Sequence, residues 1–216
     1  MLKSKGVSFI FLIFLFVFGH GQDIKGEWMQ VKIPNHINYP PISIVELKID
    51  SIFSYNFNEL IKKGKLEIKG NNSIVLNDSV TFEFRFIGNN IFEEKINNPV
   101  GQKNDAFRYV RLLPTKDKNN LVESLKNKIY QISLPDEKVT FELGKKMHAD
   151  NAIIISNPPI AANYTSIEKF KNTYFLCFYA VKHRTYAFPI KEINENYFSI
   201  YGIPKEENEL IVERID

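Results

Sequence analysis

The sequence predicts an all-β protein, an antiparallel meander barrel or sandwich, arranged as two tandem β units joined by a short helix. Three observations carry this. Apolar and polar residues alternate with a period of two along most segments, which is the pattern of half-buried antiparallel strands. Turn residues recur every eight to twelve positions, the spacing of a meander. The chain is 44% apolar over 216 residues, enough to form a packed core.

The chain opens differently. Lys3 and Lys5 precede Val7 to Phe18, a run of twelve apolar residues (VSFIFLIFLFVF), and small residues follow at Gly19 and Gly21. This reads as a secretory signal peptide over 1–21. Twelve residues of helix span about 18 Å against a hydrocarbon core of about 30 Å, so a membrane span is the weaker reading. No cysteine follows the run, which closes the lipoprotein route. An exported protein, periplasmic or extracellular, is expected, with no stable membrane span after cleavage. Removing Lys3 and Lys5 from the 28 basic residues leaves 26 against 25 acidic ones. Such a balance has no long-range pull on nucleic acid or an anionic membrane. The densest basic cluster, Lys62, Lys63 and Lys65, is flanked by Glu59 and Glu67 and reads as a solvated turn.

Strand signals begin in earnest after the Pro34 to Pro41 loop, which carries His36. Phe53, Tyr55 and Phe57 alternate with Ser54, Asn56 and Asn58. Leu66 and Ile68 follow, Gly70-Asn71-Asn72 turns the chain into Ser73 to Leu76, and Thr81 to Phe86 places Phe82, Phe84 and Phe86 on one face. Gly88-Asn89-Asn90 is a second turn, and Phe107 to Leu113 closes the first half. Leu121, Val122, Leu125 and Ile129 then fall at helical spacing, with Asn120 to Glu123 resembling a capping box, so 116–128 is expected to be a helical linker. Thr165 to Glu168 predicts a second short helix through Lys171. Strands are expected at 128–134, 138–143, 152–155, 174–181, 184–190, 197–201 and 209–214, with several apolar on both faces and so covered on both.

Trp28 and Arg111 are 83 residues apart, and Tyr130 and Arg214 are 84 apart. In each case an aromatic lies early in a first strand and an arginine in the last. Asn89 to Phe92 also corresponds to Glu195 to Phe198. These spacings suggest a tandem duplication, 22–115 and 129–216, although Pro40 and Pro158 do not fit the offset.

Gly26-Glu27-Trp28 at the first strand, with Tyr109-Val110-Arg111 in the last, resembles the pattern of bacterial lipocalin-like, calycin-type small β-barrels over residues 22 to about 115. In that family the Trp closes one barrel end and the Arg packs across its indole face. The resemblance implies structural roles for Gly26, Trp28 and Arg111, and a barrel mouth that takes a small apolar ligand or a partner. Phe53, Tyr55, Phe57, Phe82, Phe84 and Phe86 are the candidate ligand-binding residues. The second half departs from the pattern, with Asn127 and Tyr130 where Gly and Trp would stand.

Catalytic signals are sparse. No P-loop, G-x-G-x-x-G, G-x-S-x-G or H-E-x-x-H occurs, and four histidines with one cysteine leave little for a metal, so no cofactor, no metal and no catalytic residue are expected. His148-Ala-Asp150 reads as a solvated loop. Glu93 and Glu94 point to opposite faces of a strand. Cys177, in the apolar Tyr174 to Tyr179, reads as a buried, inert thiol. It would stand about 20 Å from His183 along one strand, and only a hairpin near Lys182 would bring the two together. The expected function is non-enzymatic binding of an apolar ligand or partner. The alternative is a cell-envelope interaction module of inhibitor or immunity type, acting through loops or strand edges.

Overall fold

A computed structural model describes residues 23–33, 42–95, 106–133, 138–146, 153–154, 161–180, 182–202 and 209–216. The signal-peptide segment, His36 and the His148–Asp150 turn lie outside the described residues. The protein is all-β. Its first eight strands form a closed antiparallel barrel: β1 (Gly26–Lys32), β2 (Ile44–Leu47), β3 (Ser51–Asn56), β4 (Glu59–Lys69), β5 (Ser73–Leu76), β6 (Val80–Gly88), β7 (Ile91–Lys95) and β8 (Ala106–Arg111). Each strand pairs with its chain neighbour, and β8 returns to β1 with Trp28 opposite Arg111. Closure gives every strand a neighbour on both sides, although β4 outruns β3 at one end.

The interior is filled by alternate side chains. Trp28, Leu47, Leu66, Ile74, Phe84 and Phe92 are buried there with Ile24, while Phe82, Phe86 and Tyr109 pack against them. Trp28 is 0% exposed and sits edge-on to Phe92, with ring centroids 4.7 Å apart.

The second unit comprises β9 (Ile129–Ser133), β10 (Lys138–Glu142), the two-residue strands β11 (Ile153–Ile154) and β12 (Ala161–Ala162), β13 (Tyr164–Phe170), β14 (Thr173–Ala180), β15 (His183–Ile193), β16 (Tyr197–Ile200) and β17 (Leu210–Arg214). Seven of these form one sheet in the order β10-β9-β17-β16-β15-β14-β13, while β11 and β12 pair separately. The sheet curls until its outer strands meet. The Gly144 N–H donates to the Thr165 carbonyl at 3.0 Å, and the Thr165 hydroxyl donates to the Glu142 carbonyl at 3.2 Å.

The two residue pairs that share a spacing also share a geometry. Tyr130 pairs opposite Arg214 as Trp28 pairs opposite Arg111. Tyr130 is also 0% exposed and sits edge-on to Phe198 at 5.2 Å, as Trp28 does to Phe92. The Arg111 N–H donates to the Asn90 carbonyl and the Arg214 N–H to the Asn196 carbonyl, both at 2.8 Å. Leu112 N–H reaches the Glu27 carbonyl at 2.8 Å, and Ile215 N–H reaches that of Ile129 at 2.9 Å. Similar first-strand, last-strand and penultimate-hairpin geometry thus occurs twice.

The two units share a core. Met29, Val31, Ile44, Phe57, Val110 and Leu112 of the first half pack with Phe170, Phe175, Cys177 and Ala187 of the second. Strand β14 is covered on both faces, because Leu176 and Phe178 point instead into the second unit's own core.

Four local expectations are corrected. Thr165 to Lys171 is not helical: β13 runs through it, and Thr165 and Glu168 bond across strands, so tertiary pairing overrides the local capping signal. The 116–128 linker contains only a five-residue 3-10 turn, Leu121–Leu125, before which Asn120 is left-handed and makes no side-chain cap. Asp117 accepts the Leu121 N–H at 2.8 Å in its place. Lys62, Lys63 and Lys65 lie within strand β4 and not in a turn. The hairpin near Lys182 does form, but it sets His183 opposite Ala180 and Cys177 opposite Ala187, about 10 Å of strand apart.

Candidate functional site

The G-x-W start builds one end of the first barrel. Arg111 lies over the Trp28 ring, 4.2 Å to the centroid, and donates to the carbonyls of Lys25, at 2.7 Å, and Asp23. The indole N–H donates to the Ile24 carbonyl at 2.7 Å. Gly26 has a φ of 126°, and a Cβ there would stand 2.8 Å from the Arg111 Nη1. Glycine is favoured at this position by its backbone, and a Cβ would also push the guanidinium from its place.

Beside this end the barrel wall opens. Pairing of β3 with β4 stops at Ser51 opposite Lys65, whereas β4 continues to Lys69 against β5 alone. The β2–β3 turn, Lys48 to Asp50, adds one further bond, from the Leu66 N–H to the Asp50 carbonyl at 2.9 Å, and Glu67 to Lys69 then run on without a partner on that side. The gap leads into a cleft of about 970 Å³ walled by Ile24, Leu66, Ile68, Phe84 and Phe86, with Ile49 at its edge. Ile49 is an apolar side chain 74% exposed, set at the entrance to an apolar wall.

The six candidate ligand-binding residues divide into two groups. Phe82, Phe84 and Phe86 point into the barrel, and the last two line the cleft. Phe53, Tyr55 and Phe57 do not. Phe53 lies on the outer surface beneath the Lys48 and Lys63 ammonium groups, 4.6 and 5.4 Å from its centroid. Tyr55 meets the Phe170 ring of the second unit at 5.3 Å, and its hydroxyl donates to Glu46 at 3.0 Å. Phe57 is buried between the two units, edge-on to Phe175. Ile24, Ile49, Leu66 and Ile68 were not singled out by sequence. Only the alternation of Leu66 and Ile68, in phase with the three inward Phe, pointed toward this wall.

Charged groups elsewhere serve the fold. Glu93 faces outward and accepts from Arg85 and Arg108, each at 2.8 Å; burial raises its pKa, but the two guanidinium groups outweigh burial and hold it below the usual range. Glu94 faces the other way, toward Tyr109, and burial raises its pKa against that hydrogen bond. Lys171 reaches from the β13–β14 turn to Glu27 and Glu46 of the barrel, at 3.0 and 2.7 Å. Arg184 lies over Phe57 at 4.2 Å and pairs with Glu168, which also accepts from Tyr179. Burial and Glu168 together push the Tyr179 phenol up to about 12.

Cys177 is 0% exposed, and burial pushes its thiol well above the ordinary cysteine range. An aromatic disulfide reagent is therefore expected to leave the native protein untouched and to titrate one thiol in concentrated guanidinium chloride. Rapid reaction of the native protein would contradict this burial.

In the second unit the 3-10 turn packs across the corresponding end, beside a smaller cleft of about 560 Å³ lined by Lys116, Leu121, Glu192 and Tyr197. Leu121 and Leu125 of the 3-10 turn pack onto its core, and the Tyr130 hydroxyl donates to the Leu125 carbonyl at 3.2 Å. Arg214 turns to Asp216 at 2.8 Å. Among the described residues no group of three or more His, Cys, Asp or Glu could hold a metal, and no helix is long and apolar enough to cross a membrane.

The fold and cleft define a class: a closed eight-stranded antiparallel barrel with a cleft of mixed apolar and charged lining beside its tryptophan-closed end. No family model matches the chain, and no curated protein matches it.

Proposed function

We propose that the protein is an exported, non-enzymatic, lipocalin-like binding protein that takes a small apolar guest in the cleft of its first barrel. The observation that carries this reading is the cleft itself. Its volume of about 970 Å³ falls at the upper end of ordinary small-molecule sites, and inward Phe and aliphatic side chains wall it. The stacked Trp28–Arg111 pair supports the lipocalin-like kinship, and the basic-then-apolar start of the chain supports export. The second unit acts as a scaffold, with Leu121 and Leu125 packed onto its core at the matching end.

Titration with phenylnaphthylamine, a neutral apolar fluorophore, tests this. Saturable one-to-one binding is expected. Ile68→Glu, which sets a carboxylate on the cleft wall, is expected to weaken binding at least tenfold (about 1.4 kcal/mol or more) while the protein stays folded by circular dichroism. Ile61→Glu, at an exposed position of β4 outside the cleft, should bind as the parent does. Absence of any binding would overturn the reading in favour of an envelope interaction module.

A further inference from the structure

We infer that the cleft selects apolar molecules carrying a positively charged head group, such as a long-chain amine, over those carrying a carboxylate; this rests on the binding reading above. The charged residues around the cleft are Asp23, Lys25, Asp50, Lys65, Glu67 and Asp78, four carboxylates against two ammonium groups. Both ammonium groups are engaged. Lys25 pairs with Asp23 at 3.6 Å, and Lys65 reaches both oxygens of Asp78, at 3.0 and 3.1 Å. Glu67 pairs with Lys69 at 3.6 Å. Arg111 is not a wall of the cleft; it is spent on the Trp28 ring and on the Lys25 and Asp23 carbonyls.

Asp50 differs from the others. Among the described residues it makes no ion pair, and its carboxylate accepts only from the neighbouring Ser51 hydroxyl, at 3.1 Å. It stands on the turn that overhangs the entrance, next to the exposed Ile49. A guest whose chain lies on Leu66, Ile68, Phe84 and Phe86 would place its head near this turn. An ammonium head meets an uncommitted carboxylate there, whereas a carboxylate head meets an excess of like charge with no free cation. The rim is open to water, so the effect is a matter of preference and weakens with salt.

Competition against bound phenylnaphthylamine measures this directly, using dodecylammonium, dodecanol and dodecanoate below their micelle concentrations. In low salt, dodecylammonium is expected to displace the probe about five- to tenfold more effectively than dodecanoate, with dodecanol between them. Asp50→Asn should remove most of the difference between ammonium and alcohol. Equal or tighter binding of dodecanoate would overturn the head-group preference while leaving the binding reading intact. An ammonium preference that survives in Asp50→Asn would remove Asp50 from it. Failure of the fluorophore and all three competitors to bind would overturn both.

Discussion

Trp28→Ala is expected to cost the first barrel about 3–5 kcal/mol, the range for removing a fully buried large aromatic. The loss exceeds simple transfer, because the ring is the surface on which one barrel end is assembled. Phe92 packs on it edge-on, Phe86 stands 6.2 Å away, and Arg111 lies over the ring. Without the indole the guanidinium keeps its carbonyl partners but loses the stacking, worth ~0.5–2 kcal/mol. Trp28→Phe should retain most of the packing and forfeit the hydrogen bond to Ile24. Gly26→Ala should also destabilise, since its Cβ would meet Arg111 at 2.8 Å on a backbone with φ of 126°. Urea unfolding followed by far-ultraviolet circular dichroism checks the series. A Trp28→Ala midpoint equal to that of the parent would show that the barrel end does not depend on the ring.

Phe57→Ala is expected to cost a similar 3–5 kcal/mol and to change the form of unfolding as well as its midpoint. Phe57 belongs to the β3–β4 turn of the first barrel, yet its contacts are Phe170, Phe175 and Arg184 of the second unit. It is 1% exposed and adopts a left-handed φ of 54°, a conformation a bulky residue holds only when its surroundings require it. The sole tryptophan, Trp28, reports on the first barrel, whereas circular dichroism reports on both units. In the parent the two signals should change together. In Phe57→Ala the fluorescence and dichroism transitions should separate, because the shared core has lost its central ring. Coincident transitions in the variant would mean that the remaining contacts, Lys171 with Glu27 and Glu46 included, suffice to couple the units.

Much of the fold was legible because a period of two is a direct imprint of a pleated sheet. Phe82, Phe84 and Phe86 pointed to one interior face, and the Trp28–Arg111 spacing anticipated two residues that pair across the closing strands. Phe53, Tyr55 and Phe57 show where this logic stops. Their alternation is real, but it marks the outer face of β3, where Tyr55 and Phe57 are covered by a second unit supplied more than a hundred residues later. Periodicity identifies an apolar face without saying which of two covered faces is the inside of a barrel. Thr165 to Glu168 fails for a different reason. A capping box is a local pattern, whereas Thr165 and Glu168 are held by Glu142 and Arg184, far along the chain. The cleft was beyond sequence reading, because it depends on β3 ending opposite Lys65 while β4 continues to Lys69.

The return of the final strand of each unit to its first also orders events in time. The first barrel needs residue 111 to meet residue 28, and the second needs 214 to meet 130. Every ring is thus completed by its last strand, through contacts that are far apart in sequence, a topology that folds slowly. The amino-terminal ring has all its strands once residue 111 has emerged, before most of the second unit has been made. On a growing chain it would wait with Met29, Val31, Ile44 and Phe57 bare until Phe170, Phe175 and Cys177 arrived to cover them. The period of greatest exposure to wrong partners therefore falls in the making of the second half, whose arrival completes the surface of the first.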